Sequence, residues 1–209
     1  MGHPAERART IPQLVRLIAP CRLCGEAMIP PPVLWARPHH RALLVGQAPG
    51  SVEAGVGLPF QGAAGKRLRG WLEPIGLSDP EAFLDAFAVC AVAKCYPGPH
   101  PGGRGDRVPT RAERQNCRPW TDATLRLLDP PLIVAVGRLA IADWIGNQPL
   151  VDIIGERFEA DGRTVIPLPH PSGASAWANS LENRERIARA VALIGVELDA
   201  LRGSASQAS

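Results

Sequence analysis

The stretch Ala42-Leu-Leu-Val-Gly-Gln-Ala-Pro-Gly50 decides the fold. An unbroken apolar run of this length, ended by a Gly/Pro-rich turn, suits a strand buried on both faces, and such strands belong to parallel sheets covered by helices. Ala42–Gly46 is the first of these runs, and Phe87–Lys94, Leu132–Gly137 and Thr164–Leu168 repeat the pattern. Between them the spacing changes to a helical period. Ala64–Leu72 carries Leu68, Trp71 and Leu72, and Arg111–Leu128 opens after Thr110 with Glu113 placed for a capping box. Leu139–Ile145 and Asn183–Leu201 read as two more helices, the latter with Ile187, Val191, Ile194 and Leu198 on one face. Strand and helix in alternation predict an α/β fold with a parallel sheet covered on both sides. Ligands gather at the carboxyl ends of such strands, so the informative loops follow Val45, Lys94, Val136 and Leu168.

The chain has 209 residues, 45% hydrophobic and 21% charged, which suits one soluble domain with its own core. No stretch approaches the ~18 unbroken apolar residues of a membrane helix. With 22 prolines and 21 glycines much of the chain must be turn, which argues against a long helical bundle. Residues 1–202 are expected to form one unit, and Gly203–Ser209, small and polar, a frayed tail. A net charge of +3 is too mild to identify a partner. Lys66 and Lys94 are the only lysines, and arginine's planar fork suits phosphate; a codon bias explains the same preference equally well. The amino terminus has no charged-then-apolar export pattern, so the cytoplasm is expected. In that setting the five cysteines point to metal or redox chemistry rather than disulfides.

Cys21-Arg-Leu-Cys24 is the usual half of a metal site, with Cys95 and Cys117 as single cysteines far downstream. The four thiolates suit zinc or an iron–sulfur cluster, or some are merely buried small side chains. Cys90 reads as core. Gly46–Gly50 and the following Gly57-Leu-Pro-Phe-Gln-Gly62 offer backbone N–H groups and a helix start, a setting for an anion or a planar heterocycle or simply a tight connection. Phe60 in that turn reads as a stacking platform. His170-Pro171-Ser172 follows the last strand and projects into the same crevice, unless it is a solvated loop. Arg104, Arg107, Arg111 and Arg114 give the segment between Cys95 and Cys117 a local basic excess, which suits a phosphate backbone or an ordinary solvated loop.

In this order the motifs resemble the uracil-DNA glycosylase superfamily, particularly its iron–sulfur branches, families 4 and 5. Those families show a C-x2-C pair, a G-[EQL]-A-P-[GA] loop and G-x-P-F-x-G-x-A-G, matched by Cys21–Cys24, Gly46–Gly50 and Gly57–Gly65. A V-[KR]-C segment, a later cysteine before Arg-Pro, and a closing H-P-S correspond to Ala93-Lys94-Cys95, Cys117-Arg118-Pro119 and His170–Ser172. The resemblance implies a three-layer α/β/α sandwich with a central four-stranded parallel sheet and a [4Fe–4S] cluster on Cys21, Cys24, Cys95 and Cys117. It implies an enzyme, acting as a monomer, that hydrolyses the N-glycosidic bond of uracil in DNA and leaves an abasic site.

Breaking that bond puts negative charge on the departing base, so a glycosylase must extrude the nucleotide, stack its base and donate hydrogen bonds to the oxygen that gains charge. The donor is expected to be His170 and the stacking ring Phe60, with Gly46, Gln47, Ala48 and Ser172 adding contacts. Arg104, Arg107 and Arg111 are expected on the DNA backbone, and Trp177 either wedges into the vacated stack or packs under its loop. Two departures from the family pattern matter. Ala91 stands where family 4 has an asparagine that reads the uracil edge, so hypoxanthine and xanthine become further substrates. Gln47-Ala48 puts no carboxylate in the first loop. Gln47 can orient a water but cannot take its proton, and Glu53 is the nearest carboxylate to assist or to polarise His170. Two other classes remain: a non-catalytic iron–sulfur nucleic-acid-binding protein of the same fold, and a small zinc protein that binds a nucleotide at Gly46–Gly50.

Overall fold

The computed structural model describes residues 2–103, 105–172 and 176–207. Its sheet is built from β1 (Leu34–Trp35), β2 (Ala42–Val45), β3 (Ala88–Cys90), β4 (Leu132–Val136), β5 (Phe158–Ala160) and β6 (Arg163–Leu168) in the order β1-β3-β2-β4-β6-β5. The middle four strands run parallel, as their apolar runs predict, and every residue of β2 and β4 is buried. The expectation of four strands is corrected to six, because an antiparallel edge strand pairs at each side. β1 has two residues and β5 three, none of them fully buried, so neither carries an apolar run. β5 and β6 are joined through Asp161 and Gly162, both at positive φ (50° and 72°), the geometry of a two-residue hairpin.

The second apolar run, Phe87–Lys94, ends sooner as a strand than its length predicts. Beyond Cys90 the amides of Val92 and Ala93 donate to the Gly46 and Gln47 carbonyls at 2.8 and 3.0 Å, fastening the loop after β3 to the loop after β2. Two site-forming loops are thereby locked together at one end of the sheet.

The helices are α1 (Ile11–Ile18), α2 (Ser51–Val56), α3 (Ala63–Leu72), α4 (Pro80–Ala86), α5 (Arg111–Leu128), α6 (Arg138–Ile145), α7 (Leu150–Ile153) and α8 (Leu181–Gln207). α8 packs on α3 and against β4 and β6, while α1 packs on α5 and α6 lies against β4 and β5. The expected capping box of α5 is present: Glu113 N donates to Thr110 Oγ1 and Thr110 N donates to the Glu113 carboxylate. α8 runs past Gly203 to Gln207, and residues 208 and 209 lie outside the described residues. Among the described residues no helix is long and apolar enough to cross a membrane.

Candidate active site

A cleft of about 230 Å³ opens at the carboxyl ends of the parallel strands. Gly46, Gln47 and Ala48 line it from the loop after β2, Ala91 from the loop after β3, and His170 from the segment after β6. Phe60 and Glu53 complete the expected set. Residues more than a hundred positions apart in the chain therefore meet where the parallel topology directs a ligand.

Phe60 is held from several sides. Its backbone has φ 55°, a left-handed conformation uncommon for a bulky residue. Its carbonyl accepts from Arg69 Nη1 at 2.6 Å, and its ring meets Phe83 edge-on at 5.8 Å between centroids. Gly65 lets this turn lie against α3, since a Cβ there would stand 1.8 Å from the Phe60 carbonyl oxygen. Strain held in place by surrounding structure is common at binding sites.

Glu53 is buried and both its oxygens are engaged: Oε2 accepts from the Gly50 amide at 3.1 Å and Oε1 from the Gly62 amide at 2.8 Å. It ties the two glycine-rich turns together. The carboxylate coupled to His170 is instead Asp106, from the loop between β3 and α5. His170 lines the cleft and is exposed. Desolvation holds its pKa below the ordinary histidine value and Asp106 opposes that fall, so the ring is neutral at physiological pH. Gly137, at φ 86°, leaves it room: a Cβ there would lie 3.1 Å from His170 Cδ2.

Asp106 is the residue that sequence reasoning missed. It is the only acidic residue between Pro97 and Pro109, but nothing in the sequence shows that its loop folds back over the Gly46–Gly50 turn. In the fold, Arg107 N donates to the Gly98 carbonyl at 3.0 Å and His100 N to the Gly105 carbonyl at 2.9 Å, closing the loop so that Asp106 faces the cleft.

The residues expected on DNA divide. Arg107 donates to both oxygens of Glu113, at 2.7 and 2.8 Å, and also to the Ala27 carbonyl, so its fork is used inside the protein. Glu113 is buried and its carboxyl is held below the ordinary range, first by the Arg107 hydrogen bonds. Arg111 is exposed at the first turn of α5, and Arg104 lies outside the described residues. Lys94 is also turned inward, 1% exposed, with Nζ donating to Thr121 Oγ1 and to the Cys117 carbonyl. Trp177 is half-buried against the main hydrophobic core, the packing alternative to a wedge. Ser172 stands beyond the cleft, its carbonyl accepting from Arg67 Nη1 at 3.0 Å.

A separate pocket is lined by Cys21, Cys24, Cys95 and Cys117 together with Met28 and Trp120. Cys90 is buried in β3, as expected of a core residue. Burial, followed by the neighbouring Cys117, Cys21 and Cys24, pushes the Cys95 thiol up to about 12. Burial raises Cys117 as well, opposed by Lys94, whose amide donates to Cys117 Sγ at 3.5 Å. A positive centre among such grouped sulfurs favours the thiolate form, so this donor set fits a metal group. Among the described residues, no group of three or more His, Cys, Asp or Glu side chains is gathered closely enough to hold a metal ion.

A family model described as the Uracil DNA glycosylase superfamily matches residues 35–193. The chain belongs to that superfamily. Among similar proteins, the type-4 uracil-DNA glycosylase of Thermotoga maritima is 29% identical over 160 residues, 75% of this chain and 74% of the relative. That of Archaeoglobus fulgidus is 32% identical over 140 residues, 66% of this chain and 64% of its own length. That of Pyrobaculum aerophilum is 32% identical over 120 residues, 57% of this chain and 53% of its own length. The superfamily match spans both lobes of the cleft, from the turn that carries Phe60 to the segment that carries His170.

Proposed function

We propose that this protein hydrolyses the N-glycosidic bond of uracil in DNA and leaves an abasic site. The observation that carries the reading is the convergence of Phe60 and His170 on one cleft, in a chain of the Uracil DNA glycosylase superfamily. The names of its relatives support the same activity. Phe60 stacks the extruded base. His170, neutral before the reaction, donates to the base oxygen on which charge develops, and the amides of Gln47 and Ala48 add contacts. Ala91 brings no side-chain amide to the cleft, so the base edge is read loosely and hypoxanthine and xanthine join uracil as substrates. Arg111, and Arg104 with it, meet the phosphate backbone.

Cys21, Cys24, Cys95 and Cys117 hold a [4Fe–4S] cluster. The support is that all four thiols line one pocket beside Met28 and Trp120, a donor set of the kind that iron–sulfur clusters take. When bound, the cluster supplies structure rather than chemistry, pinning the amino-terminal segment to the start of the Asp106 loop and to α5. Residues 1–202 then act as one unit, as a monomer in the cytoplasm. The binding-only alternative is less favoured, because the curated relatives are named as glycosylases.

The test is incubation of the purified protein with end-labelled oligonucleotides bearing uracil, hypoxanthine or xanthine, followed by alkali. Strand breaks at uracil support the activity and breaks at the purines support the wider range. A gel shift without any break would leave only a binding protein.

A further inference from the structure

The first loop of this cleft has no carboxylate, yet hydrolysis leaves a water proton to be disposed of. Two carboxylates line the cleft among the described residues, Glu53 and Asp106. Glu53 spends both oxygens on the Gly50 and Gly62 amides. Asp106 is exposed to the cleft, is coupled to His170 and faces the Tyr96 hydroxyl. It also lies close to the first loop: a side chain at Gly50 would come within 3.4 Å of Asp106 Oδ2. The carboxylate thus reaches the cleft from a different loop, beside the one where a carboxylate is missing.

We infer that Asp106 is the catalytic carboxylate of this site, the group that orients the attacking water and takes its proton; this deepens the glycosylase reading and rests on it. The bond between C1′ and the base nitrogen breaks with its electron pair leaving on the base. The water oxygen forms the new bond to C1′, and the water proton passes to an Asp106 oxygen, from which it returns to solvent. While the sugar is electron-poor, the same carboxylate lies beside it and stabilises the positive charge. Gln47, which lines the same cleft, holds the water but accepts no proton.

The test is single-turnover excision from a uracil oligonucleotide by wild type, Asp106→Asn and Asp106→Ala, the alanine variant with and without sodium formate. Both substitutions are expected to slow excision by ~10²-fold or more, with binding to an abasic duplex changed by less than about threefold. Formate, a carboxylate small enough for the vacated space, is expected to return part of the rate to the alanine variant and none to the asparagine variant. Rates within about threefold of wild type would overturn the inference. A slow alanine variant that formate does not help would also overturn it, leaving Asp106 a positioning residue. If wild type itself leaves uracil in place, the glycosylase reading fails first, a result distinct from either.

Discussion

Phe60 shows how the site is set at the scale of single residues. Its side chain reaches the cleft only because the backbone takes φ 55° and a glycine stands five positions on. A left-handed bulky residue costs about 1–2 kcal/mol, which the Arg69 hydrogen bond and the Phe83 contact offset. Gly65→Ala is therefore expected to lose about 3 kcal/mol of stability, read as a lower urea midpoint, because the new methyl meets backbone rather than a yielding side chain. An unchanged midpoint would show that the turn moves freely. That Phe60 and His170 line the cleft was legible in the sequence, from the place of one between Pro59 and Gly62 and of the other after a strand. Glu53 and Asp106 were not separable in that way. Both are acidic residues in loops, and only the fold shows that backbone amides occupy one and the cleft receives the other.

At the scale of elements, α5 joins the thiol pocket to the end of the Asp106 loop. Its capping box sets where it starts, Cys117 lies on its buried side, and Arg107 joins Glu113 at its first turn to the Ala27 carbonyl of the amino-terminal segment. Arg107→Ala leaves a buried carboxylate without its cation and is expected to cost about 1–3 kcal/mol, discounted because the arginine is itself partly open to solvent. It should leave the salt dependence of DNA binding unaltered. Arg111→Ala is expected to do the reverse, with unchanged stability and a salt slope smaller by about one. A gel-shift titration in salt beside a urea melt checks both; a lowered slope for Arg107→Ala would return that residue to the DNA surface. The buried parallel strands and the α5 cap were legible because apolar runs and capping residues act locally. The edge strands were missed because two or three half-buried residues leave no period, although Asp161-Gly162 is itself a hairpin signal.

For the whole molecule, the parallel topology performs the decisive step. Each of the four parallel strands delivers its following loop to the same end of the sheet, so a histidine near the end of the chain and a phenylalanine near its first third share one cleft. The topology was predictable from the alternation of strand and helix. The path of the Asp106 loop over the cleft was not, since its closing hydrogen bonds join backbone to backbone and leave no trace in residue type. The central claim is that the base leaves as an anion stabilised by His170 inside this cleft. The most direct measurement is the single-turnover rate of uracil excision by His170→Ala beside wild type, with affinity for an abasic duplex measured in parallel. The account predicts a rate lower by ~10²–10³-fold with affinity nearly preserved; a rate within about threefold of wild type would contradict it.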